Sequence, residues 1–394
     1  MQTRRLFYED PWQREFEAEV VACTRSDAGY LLELDRTLFY PEGGGQPADR
    51  GVICVKDRAL TVEDVQEAGD GIVHTVSGPV EPGTKIRGEI DWEYRFDLMQ
   101  QHSGEHIVSG MIHEEYGYDN VGFHMGAEFI TIDLSGILDM DQIAGLEEKV
   151  NKYIWTDRRT EILYPDEKER ISLDYRSKKE LTGQVRLVSF PGADLCACCG
   201  LHVETTGQIG LVKIISCKKF REGVRIEMLS GRRAFEYMNT HVRENSGIGT
   251  LLSAKDHETR EAVDRLLKEI YELKGELIRE QKKTLAFLTE KCRGAENVVL
   301  LAPGLDSAMI RKCTDGILDD ITGTGAVFSG DDREGYRYAL GIREGDIRNL
   351  VKDMNQELNG RGGGKPVFAQ GSVKADREEI RRYFTDKGYT VIEG

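Results

Sequence analysis

Residues 91–111 read DWEYRFDLMQQHSGEHIVSGM, and the rest of the chain is best read outward from this stretch. Phe96, Met99, His102, His106 and Met111 recur at spacings of three, four and five, the period of a helix with a buried face, and Gly117 offers a stop. On such a helix His102 and His106 lie one turn apart on the same side. The ninety residues before it behave differently. Short apolar runs such as YLLELD and GIVHTV alternate with Gly, Pro and Asp, which predicts a β-rich, barrel-like domain over 1–90. After the helix come an alternating strand at 129–134, a helix at about 139–157, a strand around ILY and a second helix near 167–181. The strands LVKIISCKK and VRIEML then complete an α+β region over 91–235.

Residues 236–295 are highly charged and lack proline, with a partial heptad in Val263, Leu266, Ile270, Leu273 and Leu277. That pattern fits a helical hairpin or a short coiled-coil linker. The final segment, 296–394, alternates strand-like runs (VVLLAP, GAVFS, YRYALGI) with helix-like stretches at 306–319, 345–359 and 376–386, and reads as a small α/β domain. Gly360 to Pro366 is expected to be a loop. The overall class is α+β.

Composition narrows the function. Among 394 residues, 53 Lys and Arg face 69 Asp and Glu, a net charge of −16, so indiscriminate adhesion to nucleic acid is excluded and any such contact is local. One local source is residues 212–233, net +5, where Lys218, Lys219, Arg221, Arg232 and Arg233 are candidate contacts to nucleic-acid phosphates. Arg361 and Lys365 form a smaller second set. No apolar run approaches the roughly 18 residues of a membrane span, so no membrane partner is expected and the cytoplasm is the expected location.

Eight cysteines are too few and too uneven for a disulfide scaffold, and three crowd into Cys196-Ala197-Cys198-Cys199. His102-x-x-x-His106 together with Cys198-x-x-x-His202 reads as a metal site. His and Cys without a carboxylate favour zinc over magnesium or calcium. The spacing prefers Cys198, although Cys196 and Cys199 are within reach of the same turn. A second candidate is Thr37-Leu38-Phe39-Tyr40-Pro41-Glu42-Gly43-Gly44-Gly45-Gln46, whose three glycines allow backbone to approach a ligand closely. The loop before Lys365 is not a phosphate-binding P-loop, because Asn359 and Pro366 stand where glycine and a hydroxyl are required.

The strings TLFYPEGGGQPADRG, the HxxxH helix, the CxxxH followed by VETTGQIG, and GVRIEMLSG occur in the order of the editing domain of alanyl-tRNA synthetase, and the chain resembles its free-standing relatives, the AlaX-type editing proteins. The charged helical segment and GRGGGKPVFAQG resemble the linker and the C-terminal DHH-associated domain of those synthetases, as in the long form of AlaX. This resemblance implies Zn2+ held by His102, His106, Cys198 and His202, and a catalytic region containing Thr37, Gly44, Gly45 and Gln46, with Thr37 recognising the misattached amino acid. It also implies an ATP-independent trans-editing hydrolase that deacylates mischarged tRNA(Ala), seryl first and glycyl second. A homodimer through the linker or the C-terminal domain is a further expectation. A non-catalytic tRNA-binding protein with a structural zinc, or a deacylase of another aminoacyl-tRNA, is the alternative. The family usually has CGGTH where this chain has Cys198-Cys199-Gly200-Leu201-His202, which puts the pocket lining at 199 and 201 in question. Glu105 is an extra carboxylate in the first motif, expected on the solvent side of the helix.

Overall fold

A computed structural model describes residues 2–177 and 183–394. They form two compact units, one ending at Gly247 and the other beginning at Ile248.

The first unit begins as a closed six-stranded barrel. Its strands run in the order Glu15–Ser26, Gly29–Leu34, Gly71–Val76, Arg58–Ala68, Gly51–Val55 and Lys85–Ile90, the last pairing back onto the first. Period-two alternation builds this wall: Phe16, Ala18 and Val20 point inward on one strand, and Ile86 and Ile90 on its partner. Between them Gly88 is required, because a Cβ there would meet the Phe16 ring at 2.2 Å.

The helix spans Trp92–Tyr116. Asp91 caps its start by accepting from the Tyr94 amide, and Gly117 ends it in a left-handed conformation. From Leu98 to Ile112 every residue is buried, and this surrounded helix carries Gln100, Gln101, His102, Ser103, Glu105, His106 and Ser109 into the interior. Buried polar groups need partners. Gln101 supplies both halves of a backbone-like pair to Ser230, donating to its carbonyl at 2.7 Å and accepting from its amide at 2.8 Å. Gly104 allows this approach, since a Cβ there would meet Ser230 Oγ at 2.1 Å. The sheet beneath runs Val212–Phe220, Gly223–Ser230, Ile130–Leu134, Asn120–Met125, and a second, three-stranded sheet joins Glu161–Leu163, Leu187–Phe190 and Asp194–Ala197. The barrel, the helix and these sheets share one hydrophobic core. Only Glu167–Ser172 of the helix expected near 167–181 is helical, and positions 178–181 lie outside the described residues.

The second unit holds a six-stranded mixed sheet, ordered Gly360–Lys365, Phe368–Val373, Gly335–Ile342, Thr324–Asp331, Val298–Leu301, Thr390–Glu393. Val298 and Leu300 join one core with the helix Ser307–Asp320, while Val299 and Leu301 join another with Arg348–Glu357 and Arg377–Asp386. A strand buried on both faces explains the unbroken apolar run VVLL. Gly360 to Lys365, expected as a loop, is instead the edge strand, paired antiparallel with Phe368–Val373. Its glycines mark close approach rather than a turn: a Cβ on Gly364 would meet the Phe368 carbonyl at 2.2 Å. The charged stretch forms two helices, Gly231–Leu252 and Thr259–Lys291. The five heptad side chains on the second are between 38% and 58% exposed. No helix among the described residues is long and apolar enough to cross a membrane.

The glycine-rich segment after the second barrel strand is tied to the helix by a buried ion pair. Arg95 and Asp49 are 0% and 1% exposed, and the Arg95 guanidinium also donates to the Leu38 carbonyl. Asp49 accepts in turn from the Tyr40 amide at 2.7 Å. Asp49→Ala would leave a charge stranded in the interior, so we expect a loss of about 3–5 kcal/mol, read from the urea midpoint. A loss below about 1 kcal/mol, typical of an exposed pair, would show that this contact does not hold the segment.

Candidate metal centre

His102 and His106 face the same way from the central helix, and the turn after Asp194–Ala197 brings Cys198 and His202 to meet them. One ligand atom from each of the four side chains lies within 4.8 Å of all the others, and all four residues are buried at their side chains. His102 Nε2 is 3.4 Å from Cys198 Sγ. That is close to the edge, about 3.5 Å, of a tetrahedron built on metal–ligand bonds of about 2.0–2.3 Å. Among the described residues both ring nitrogens of His202 are buried with no partner in hydrogen-bond geometry, Cys198 being their polar neighbour. An orphaned imidazole is costly unless something accepts its lone pair, and a metal ion at the centre of the cluster would do so.

The other faces of the histidines are held. His102 Nδ1 lies 2.9 Å from Gln46 Oε1, which also accepts from the Leu201 amide at 3.0 Å. His106 Nδ1 lies 2.7 Å from Asp194 Oδ2. Arg176 grips that carboxylate with two bonds, at 2.7 and 2.9 Å. Oxygen partners on Nδ1 fix both tautomers and leave Nε2 available to a metal. Gly200 makes the turn possible, because a Cβ there would lie 2.1 Å from the His102 ring.

Electrostatics separates the cysteines. Burial would raise the Cys198 thiol, but the positive charges and hydrogen bonds of His102 and His106 outweigh it and bring the group well below its ordinary value. Burial lowers His106, yet the Cys198 thiolate and Asp194 raise it well above the imidazole range. Burial pushes His202 down to about 3, which keeps the imidazole neutral with one ring nitrogen's lone pair free. Cys196 is pushed up to about 11 by burial and remains a thiol. Cys196 does share a second potential ligand group with His106 and Asp194, but there the carboxylate is already taken by Arg176. Of the two buried cysteines, Cys198 is thus the one disposed to be a thiolate.

The cluster opens onto a cavity of about 540 Å3, whose wall includes Gly44, Gly45, Glu105, Asn120, Phe123 and Cys199. Gly44 and Gly45 have φ of +62° and +85°, conformations that glycine adopts without strain. At Gly45 a Cβ would also strike the Phe123 ring at 2.6 Å.

The residues expected to act here divide. Gly44 and Gly45 line the cavity, and Gln46 stands behind His102. Thr37 is not among the lining residues. It is fully buried in the barrel wall, its Oγ1 2.8 Å from His74 Nε2 and accepting from the Phe39 amide at 3.1 Å. Leu201 is core, while Cys199 lines the cavity and its carbonyl accepts from Tyr8 at 2.8 Å. Glu105 is not on the solvent side; it is 4% exposed and faces the cavity. A helix surrounded on all sides has no solvent face to offer it. Arg176, Asp194 and Asn120 were missed by sequence reasoning because nothing in their local spacing signals a metal.

The expected basic ribbon is largely neutralised. Arg233 pairs with Asp97 at 2.6 Å, Arg232 with Glu93 at 2.8 Å and Lys218 with Glu227 at 3.4 Å. Lys219 and Arg221 form no ion pair among the described residues, and Arg221 lies over the Phe220 ring. Arg361 and Lys365 are exposed on the edge strand of the second unit.

Comparison with known proteins now adds its own findings. A family profile described as tRNA synthetases class II (A) matches residues 11–94, and one described as the threonyl and alanyl tRNA synthetase second additional domain matches residues 185–227. The chain is 32% identical to alanyl-tRNA editing protein AlaX-L of Pyrococcus horikoshii, over 95% of this chain and 96% of that protein. It is also 32% identical to alanine–tRNA ligases of Ignicoccus hospitalis and Pyrobaculum neutrophilum, over 92% and 96% of this chain but only 40% and 44% of theirs. The chain thus spans less than half the length of those ligases.

The geometry yields a metal-retention prediction. Cys198→Ala and His202→Ala should lose bound metal, Cys196→Ser should keep it, and Asp194→Ala should weaken it by about 10- to 100-fold. Elemental analysis and chelator competition on full-length protein read this out; metal lost with Cys196→Ser but kept with Cys198→Ala would reverse the cysteine assignment.

Proposed function

The chain belongs to the AlaX-L family of alanyl-tRNA editing proteins, and from that premise we propose that it is an aminoacyl-tRNA deacylase that clears wrongly charged tRNA(Ala). Seryl-tRNA(Ala) is the first substrate and glycyl-tRNA(Ala) the second, since a site built for alanine separates such neighbours poorly by size and leaves them to a second hydrolytic step. The observation that carries this reading is the cluster of His102, His106, Cys198 and His202, three of which, His102, His106 and Cys198, line a cavity bordered by Gly44 and Gly45.

We place zinc in that cluster, because a soft thiolate with imidazoles and no carboxylate favours it. Bound by His102, His106, Cys198 and His202, zinc would supply polarisation of an ester carbonyl or an acidified water wherever a coordination position opens. The chain supplies the rest. Gln46 and Asp194 hold the two helix histidines in orientation, and against the opposing effect of burial His106 and Arg176 together lower the Asp194 carboxyl below its ordinary value. Gly44 and Gly45 bring backbone against the bound end of the substrate. Water adds to the ester carbonyl, the bond to the terminal ribose oxygen breaks, and the free amino acid and the ribose hydroxyl are released.

For the tRNA body we assign Lys219, Arg221, Arg361 and Lys365, the expected cations that no described acid neutralises. Lys218, Arg232 and Arg233 act within the fold instead. The exposed heptad of Thr259–Lys291 supports pairing of two chains. No disulfide joins the cysteines among the described residues, consistent with a reducing cytoplasm. For Thr37 we assign a positioning role, holding the start of the glycine-rich segment against His74.

Deacylation of Ser-, Gly- and Ala-tRNA(Ala) by the purified chain tests the function. The seryl ester should be cleaved fastest and the alanyl ester slowest; cleavage of none, with zinc and fold intact, would leave a tRNA-binding protein with a structural metal. Thr37→Val strands the His74 nitrogen and should cost about 1–3 kcal/mol of stability. Both misacyl esters should then be cleaved more slowly in equal proportion, whereas a loss confined to the seryl ester would put the hydroxyl against the substrate.

A further inference from the structure

Glu105 occupies a position that the metal cluster does not explain. Its side chain is 4% exposed and lines the cavity beside His102 and His106. Oε1 accepts from Ser109 Oγ and from Asn120 Nδ2, both at 2.6 Å. No hydrogen bond to Oε2 and no ion pair to Glu105 is made among the described residues. Arg176, the one arginine or lysine in the cavity wall among the described residues, feels the charge of Glu105 but commits its guanidinium to Asp194 through two short bonds. A carboxylate withdrawn from water is costly unless something compensates it. Here one oxygen is fixed by two neutral donors while the other has no hydrogen-bond partner among the described residues, in a side chain that lines the cavity.

We propose that Glu105 binds the α-ammonium group of the aminoacyl ester, and that the protein thereby recognises a free amino terminus. The inference rests on the deacylase reading and names what that site recognises. In any α-amino acyl ester the nitrogen lies about 2.5 Å from the carbonyl carbon. An ester that presents its carbonyl to the His102 and His106 wall therefore carries its ammonium to the same part of the cavity. Glu105 is the sole carboxylate lining the cavity among the described residues. Its anchoring by Ser109 and Asn120 means that little ordering is left to be done on binding. Seryl, glycyl and alanyl esters all carry this ammonium, so Glu105 selects the class of ester, and the side chain is read elsewhere.

The test compares seryl-tRNA(Ala) with its α-hydroxy analogue, made by nitrous acid deamination, which replaces the ammonium by a hydroxyl of similar size. Each rate is divided by that of spontaneous hydrolysis in the same buffer, because the ammonium alone makes the ester more labile. Wild-type protein should favour the amino ester by about 10- to 100-fold, the range of a hydrogen bond to a charged group. Glu105→Gln should bring the two esters close to parity by slowing the amino ester, with zinc content unchanged, and Glu105→Asp should restore part of the preference. Asn120→Ala, which frees the anchored oxygen, should reduce the preference without abolishing it. Equal slowing of both esters by Glu105→Gln would make the residue structural or part of the general chemistry, and would overturn the inference. Should Glu105→Gln fail to fold, the wild-type ratio still decides, because equal normalised rates remove the inference and leave the deacylase standing. Cleavage of neither ester would remove the deacylase reading itself, and this inference with it.

Discussion

The buried pair of Arg95 and Asp49 is the contact on which the site depends, because it joins the glycine-rich segment of the barrel to the helix that carries the histidines. In a closed interior neither charge has water to fall back on, so each is held by the other and by backbone groups of the segment. Asp49 also closes the segment on itself, through its amide to the Tyr40 carbonyl at 2.9 Å. Between these fixed points the chain has little freedom, and Gln46 arrives where its carbonyl oxygen meets both His102 and the Leu201 amide. One polar side chain thus registers the barrel, the helix and the cysteine turn against one another.

That arrangement accounts for the polarity of the central helix. A helix enclosed on every side is normally apolar throughout. This one carries glutamines, histidines, serines and a glutamate inward, several of them matched by a partner far away in sequence. Gln101 completes the edge of a sheet strand, Ser103 receives the Val203 amide, and His106 rests on Asp194. Fully satisfied, such a network is rigid, and rigidity is what a metal cluster needs if its ligands are to be in place before the ion arrives. At that centre both nitrogens of His202 and the side-chain amide nitrogen of Gln46 are left without a partner among the described residues.

Charge tells a related story on the surface. The cations between Lys213 and Arg233 read as a basic ribbon along the sequence, but strand pairing sets Arg225 against Asp133, and the turn into the next helix sets Arg233 against Asp97. Their acids come from other elements, so the neutralisation is invisible to any local count. The glycine-rich strand at the edge of the second unit retains exposed cations because an edge has neighbours on one side only.

Local periodicity and spacing were enough to determine the barrel-like start, the helix over 92–116 and the two four-residue motifs HxxxH and CxxxH, because each depends on residues within a turn or two of one another; that the two motifs meet across 96 residues is a tertiary outcome. The same locality misled at Gly360 to Lys365, where glycines that permit two strands to touch look like a loop, and at Glu105, whose solvent-facing side exists only if the helix has one. Which cysteine becomes a thiolate, that Asp194 and Arg176 stand behind His106, and that Thr37 turns into the barrel were decided by the tertiary structure alone. Those outcomes depend on burial and on charges brought together across 37 to 96 residues of chain, and a one-dimensional pattern carries no record of such distances.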